Sequence, residues 1–245
     1  IVTKKPDIVR IYLPFDANTL LCTFEHVIQT KNYINVVIAS KHPSLQWLNM
    51  DEAKEHCSKG ISILNWASDV DPDVVLVGAG DTPTLEVFAA TDILRDNIPD
   101  LKIRVVNVVD LMKLVSNVDH PHGLTNDEYD AIFTKDKPII FAFHGYPDLI
   151  HQLTYKRFNR NLHVHGYIEE GTITTPFDMR VRNRIDRYHL VLDVLKYVKV
   201  NVKQRNALQK KCNDTLSYHE KYIVENGVDI PEVVNYKWHG KTNNI

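Results

Sequence analysis

Residues 73–83 read Asp73-Val-Val-Leu-Val-Gly-Ala-Gly-Asp-Thr-Pro83. Four consecutive apolar residues run into a glycine turn, as in strands that a parallel sheet buries on both faces. Pro83 fits the first position of a helix capped by Thr82, whose apolar stripe is Leu85, Phe88, Ala89 and Ile93. The same alternation recurs downstream. Strands are predicted over 103–109, 138–143 and 162–167, and helices over 126–134, from Pro147 to about Tyr155, 186–198 and 202–225. A short helix starts at Asp110. The helix over 202–225 is polar and read as peripheral, and the last 20 residues, rich in Asn and Lys, as loosely ordered. This order predicts an α/β fold: an open, mainly parallel sheet with helices on both faces over residues 66–200, followed by a peripheral helix and tail over 201–245.

Upstream, Val9 to Leu13 reads as a strand. Asp16 can cap a helix running to about Thr30, with Leu20, Leu21, Phe24, Val27 and Ile28 on one side. Ile34 to Ala39 reads as a buried strand. Residues 1–42 therefore form a separate βαβ unit, expected away from the main sheet or against another chain. Residues 43–65, with Pro43, isolated Trp47 and Met50, and a short helix from Asp51 to Gly60, read as a structured linker.

Charge and length exclude several classes. The 245 residues carry 29 Lys plus Arg against 31 Asp plus Glu, a net charge of −2. That balance argues against a nucleic-acid or other polyanion binder. No run approaches the roughly 18 apolar residues of a membrane helix. Cys22, Cys57 and Cys212 are odd in number and widely spaced, so a reducing, cytoplasmic location is expected. The charge is uneven along the chain. Residues 1–150 hold 13 basic and 21 acidic side chains, and 151–245 hold 16 and 10. This fits an inter-domain or inter-subunit surface, or equally solvated faces of unequal sign. The chain begins with Ile rather than Met and reads as a piece of something longer.

Ligands of such sheets gather at the carboxyl ends of strands. Gly78-x-Gly80-x-x-Pro83 lacks the third glycine of a dinucleotide fingerprint, and Asp81 stands where a pyrophosphate would approach. A tight strand-to-helix turn is the favoured reading, with a stand-alone nucleotide- or phosphate-binding regulatory domain as the alternative. A purely structural assembly domain is a third reading. His120, His122, His144, His163 and His165 could suggest a metal, and His163 and His165 share a face of one strand. No Asp, Glu or Cys stands at ligand spacing around them in sequence, so structural roles are favoured. Glu169 and Glu170 are adjacent and would face opposite ways on a strand. Lys41, after the apolar strand, is a cation where a phosphate would be met, although from position alone a solvated lysine at a strand end is the favoured reading.

Longer stretches resemble a known family. Tyr12-Leu-Pro-Phe-Asp-Ala-Asn18, Asn107-Val-Val-Asp-Leu-Met112, His120-Pro-His-Gly-Leu124, Phe143-His-Gly-Tyr-Pro147 and Glu169-Glu-Gly-Thr-Ile-Thr-Thr-Pro-Phe-Asp-Met179 are similar to the C-terminal part of xylulose-5-phosphate/fructose-6-phosphate phosphoketolases. The resemblance covers about residues 7–200. It implies a transketolase-like, thiamine-diphosphate-dependent lyase that also needs a divalent cation such as magnesium and works as a dimer or larger homo-oligomer. It further implies that a ketose phosphate and inorganic phosphate give acetyl phosphate, an aldose phosphate and water. Residues 1–42 would be the end of the pyrimidine-binding domain. Lys41 would meet substrate phosphate, with His42 as its neighbour, where family members often have Gly-Lys-Gln. No Gly-Asp-Gly magnesium and diphosphate motif is present. The resemblance thus leaves catalytic, cofactor and metal residues to other parts of the enzyme, and this piece alone is expected to be inactive and to bind no thiamine diphosphate.

Overall fold

The computed structural model describes residues 8–41, 43–168 and 173–238. In chain order the elements are β1 (Val9–Tyr12), α1 (Ala17–Gln29), β2 (Ile34–Val37), α2 (Met50–Lys59), β3 (Ile61–Ile63), β4 (Val74–Ala79), α3 (Asp81–Asn97), β5 (Ile103–Val108), α4 (Asn126–Phe133), β6 (Ile139–Phe143), α5 (Pro147–Thr154), β7 (Leu162–Gly166), α6 (Pro176–Arg182), α7 (Arg187–Tyr197), α8 (Val202–Asn226) and α9 (Pro231–Val234).

The main sheet has the order β3-β5-β4-β6-β7. All its pairings are parallel except β3 with β5. The central strand β4 is buried along its whole length, and its alternate residues enter different cores. Val74 and Leu76 pack with Phe88, Leu94, Leu190 and Val194 under α3 and α7. Val75 and Val77 pack with Tyr129, Phe133, Ile150 and Leu153 under α4 and α5. Each such side chain contributes about 1.5–3 kcal/mol on leaving water. This is the α/β fold with helices on both faces that the apolar runs predict.

β1 and β2 form a parallel sheet of their own, in register from Val9 with Ile34 to Tyr12 with Val37. It joins the larger unit end to end, where Leu13 N–H donates to the Val109 carbonyl at 2.7 Å. Asp16 organises this junction. Its Oδ1 caps α1 through the Thr19 amide at 2.8 Å. Its Oδ2 accepts from the amides of Leu48 and Trp47 at 2.9 and 3.1 Å and from Gln46 Nε2 at 2.7 Å.

Several elements differ from the sequence expectation. β2 ends at Val37 rather than Ala39 and is only partly covered, with Ile34 55% exposed. On α1 the residues turned inward are Thr19 and Thr23, while Leu21, Phe24 and Ile28 are exposed. Small inward residues let α2 approach, so that Cys22 meets Met50 and Thr23 meets Cys57. Residues 43–65, read as a linker, supply α2 and also the sheet-edge strand β3. α3 starts at Asp81, with Gly80 rather than Thr82 as its cap and Pro83 as its third residue. α6 has no counterpart in the sequence reading. The tail is docked as far as Trp238: Tyr236 Oη donates to Asp92 at 2.7 Å, and Trp238 meets Trp66 and Phe88 edge-on at 5.5 and 5.3 Å.

Candidate functional site

The loop after β2 and the turn after β4 meet at a cleft of about 180 Å³, whose lining includes Ser40, Leu45, Trp47, Asp81, Thr82 and Arg180. The β4 end is shaped by glycine. Gly80 has φ of +103°, and a Cβ there would lie 2.7 Å from the His144 Cβ. The His144 amide donates to the Ala79 carbonyl at 3.0 Å, so the ends of β6 and β4 stay paired.

This turn delivers Asp81 to the cleft. Its Oδ1 accepts from the Thr82 amide at 2.7 Å, and its Oδ2 accepts from the Ser40 amide at 2.9 Å. His144 Nδ1 approaches Oδ1 at 3.3 Å without hydrogen-bond geometry. Burial pushes the Asp81 carboxyl up, but the His144 ring and the amides of Thr82 and Ser40 outweigh it and hold the group below the usual aspartate range. The Tyr167 ring lies 5.2 Å from His144, and burial pushes its hydroxyl up to about 12.

Lys41 is exposed and follows Ser40 directly. His42, Glu169 and Glu170 lie outside the described residues. The Gly78–Pro83 turn does not offer a phosphate cradle, because Asp81 occupies the Thr82 amide in the first turn of α3 and its carboxylate faces the cleft. The nucleotide-binding alternative therefore finds no donor set here.

A polar chain that sequence reading missed supports the turn from beneath. Asn107 Nδ2 donates to the Gly78 carbonyl at 3.1 Å and to Thr84 Oγ1 at 2.9 Å. Its Oδ1 is then the acceptor for His56 Nε2 at 2.8 Å, which leaves His56 Nδ1 to accept from Ser62 Oγ. Burial holds the His56 pKa below the ordinary value, consistent with this neutral tautomer. A lone histidine on a polar helix and an Asn within an apolar strand gave no pattern to read.

The other histidines have separate partners. His163 stacks on Tyr197 at 3.4 Å between ring centroids and bonds Asn161 at 2.9 Å, whereas His165 pairs with Asp193 at 2.5 Å. His122 lies between Asp110 and Arg10, and His120 also meets Arg10. Among the described residues, no three His, Cys, Asp or Glu side chains converge to hold a metal ion. No helix among them is long and apolar enough to cross a membrane.

The fold is an α/β domain of the transketolase type joined to a βαβ unit. The chain belongs to the D-xylulose 5-phosphate/D-fructose 6-phosphate phosphoketolase family: the model of the family's C-terminal domain matches residues 41–238, and the phosphoketolase model matches residues 1–30. A probable phosphoketolase of Clostridium acetobutylicum is 56% identical over 98% of this chain, and one of Rhodopirellula baltica is 53% identical over 99%. The chain spans 30% and 31% of those two proteins. Among solved structures, transketolase from Leishmania mexicana matches 77% of the chain with a TM-score of 0.54 at 12% identity, over 25% of its own length. A split-gene transketolase, an inactive β4 tetramer, matches 77% with a TM-score of 0.53 at 13% identity, over 56% of its own length.

Proposed function

We propose that this chain is the C-terminal part of a phosphoketolase that cleaves xylulose 5-phosphate, fructose 6-phosphate or both with inorganic phosphate, giving acetyl phosphate and an aldose phosphate. The observation that carries this reading is the ordered match of both family models, over residues 1–30 and 41–238. The parent enzyme is a cytoplasmic, thiamine-diphosphate-dependent lyase acting as a homodimer or larger oligomer. The cofactor would supply the carbon–carbon bond cleavage. Within this reading the cofactor and its magnesium ion are held by parts of the enzyme other than this chain. The chain's own part is assembly and one edge of the substrate site. The exposed apolar residues Leu21, Phe24 and Ile28 suit contact with the rest of that enzyme.

Within this reading Lys41 binds the substrate's phosphate. A lysine is a compact point charge with three donors, and a charge-assisted hydrogen bond contributes roughly 1.5–3 kcal/mol. Lys41→Ala in the full-length enzyme is expected to lower kcat/KM for the ketose phosphate by about tenfold to a hundredfold, with the melting temperature unchanged. Lys41→Arg should retain part of the activity. Steady-state acetyl phosphate formation is the assay, and normal kcat/KM in Lys41→Ala would remove the assignment.

A further inference from the structure

We propose that Asp81 is a positioning residue for Lys41: its carboxylate, on the first turn of α3, holds the backbone of the loop that presents the lysine. This rests on the reading of Lys41 as the phosphate-binding group.

Three observations carry it. First, among the described residues the sheet holds this loop at its start. The Ile38 amide donates to the Tyr12 carbonyl at 2.9 Å, and among those residues no strand bond follows it. The next anchor is the Ser40 amide on Asp81 Oδ2, 41 positions away in sequence. That anchor is the peptide unit immediately before Lys41, so it fixes the direction in which the lysine leaves the chain.

Second, Asp81 is itself over-determined. It is 8% exposed. Its other oxygen takes the Thr82 amide, and the His144 ring closes the remaining side at 3.3 Å. The positive φ of Gly80 and its close approach to His144 leave no room for a larger residue that could move this turn. The amides and the α3 N-terminus offset the carboxylate's charge, so an acid can stand near a phosphate site without opposing it.

Third, the link crosses the junction between the two sheets. Ser40 belongs to the loop after β2, and Asp81 to the end of β4. The C-terminal domain therefore sets the geometry of a residue carried by the other unit, a role in the reaction that needs no catalytic group.

The test uses the full-length enzyme with Lys41→Ala, Asp81→Ala, Asp81→Asn and the Lys41→Ala/Asp81→Ala double variant. Asp81→Ala should raise KM for the ketose phosphate by about tenfold with kcat changed less than about twofold. In the Lys41→Ala background, Asp81→Ala should have no further effect on kcat/KM, because the lysine it positions is gone. Asp81→Asn, which keeps one acceptor oxygen, should fall between wild type and Asp81→Ala. Melting curves accompany each variant, and kinetics are taken well below every melting temperature. An impaired Lys41→Ala beside a normal Asp81→Ala would overturn the positioning role alone. So would an equal loss from Asp81→Ala with and without Lys41, since that marks a general structural role. A normal Lys41→Ala would instead overturn the phosphate reading on which the proposal stands.

Discussion

Arg187 lays its guanidinium fork across both carboxylate oxygens of Glu86, with Nε to Oε2 at 2.9 Å and Nη2 to Oε1 at 3.0 Å. The Glu86 side chain is fully buried and that of Arg187 is 4% exposed. Arg180 Nη1 adds a bond at 2.6 Å, and the Arg187 amide another at 2.8 Å. This ties α3 to α6 and α7. Burial favours the neutral acid, but the two arginines outweigh it and keep Glu86 below the usual glutamate range.

Removing this charge should be costly. Glu86→Gln leaves two guanidinium groups facing a neutral amide, and breaking a buried pair from one side costs about 3–5 kcal/mol. For a chain of this size that corresponds to a fall in Tm of roughly 10 °C. Calorimetry decides the matter, and an unchanged Tm would show that water replaces the lost partner.

Stability should also fall on mild acidification. His56, His120 and His219 are buried, and burial lowers each pKa below the ordinary 6.5. The folded state therefore binds these protons less readily than the unfolded chain. Their contribution is fully present above about pH 6.5 and is lost as pH falls from there through the folded-state values. The lowered carboxyls Glu86, Asp81 and Asp193 act in the same direction at still lower pH. Thermal melting from about pH 8 to pH 5 should show a plateau and then a decline starting near 6.5. A Tm that rises on acidification would contradict this assignment of neutral histidines.

The sheet was legible because its strands are continuous apolar runs, and burial on both faces needs no alternation. Val74 to Val77 could hardly be anything else between Asp73 and Gly78. β3 was not legible: three residues, Ile61-Ser-Ile63, carry too little periodicity, and pairing with Val106 to Val108 fixes them instead. The outward apolar side of α1 was misread because periodicity locates a stripe without saying what covers it. Lys41 was singled out only by its position together with the family resemblance, whereas Asp81 was read only as an obstacle to pyrophosphate. Its bond to Ser40 spans 41 residues and exists only in the tertiary fold.

The docked tail leads to a further expectation. All three tryptophans, Trp47, Trp66 and Trp238, meet around Phe88, and Arg187 lies 4.7 Å over the Tyr236 ring. Truncation after Asn235 should cost about 2–4 kcal/mol, from lost aromatic burial and the bond from Tyr236 to Asp92. Tryptophan emission should shift to the red in the truncated protein, because Trp66 becomes more open to water. A truncation with wild-type denaturation midpoint and spectrum would mean that the tail contributes nothing to the fold.

The last expectation concerns the junction that places the Lys41 loop. Arg10, on β1, donates from Nε to His122 Nε2 at 3.1 Å, and His122 Nδ1 meets Asp110 Oδ2 at 2.5 Å. Asp110 accepts and Arg10 donates, so the imidazole must carry its proton on Nδ1. Asp110 also caps the turn after β5 through the Met112 amide at 2.9 Å. The chain from Asp110 through His122 to Arg10 thus fastens β1 to the larger sheet. Among the described residues β2 pairs with β1 alone and carries the loop, so the orientation of β1 is passed on to Lys41. Arg10→Met keeps the apolar stem and removes the donors, and His122→Gln removes the ring that links Arg10 to Asp110. Both should destabilise, and the double variant should lose less than the sum, with a coupling of about 1–3 kcal/mol. Denaturation midpoints of the four proteins give that coupling directly. In the full-length enzyme, both single variants should also raise KM for the ketose phosphate. Additive losses in stability would mean that Arg10 and His122 act through separate partners and that the two units are held together elsewhere.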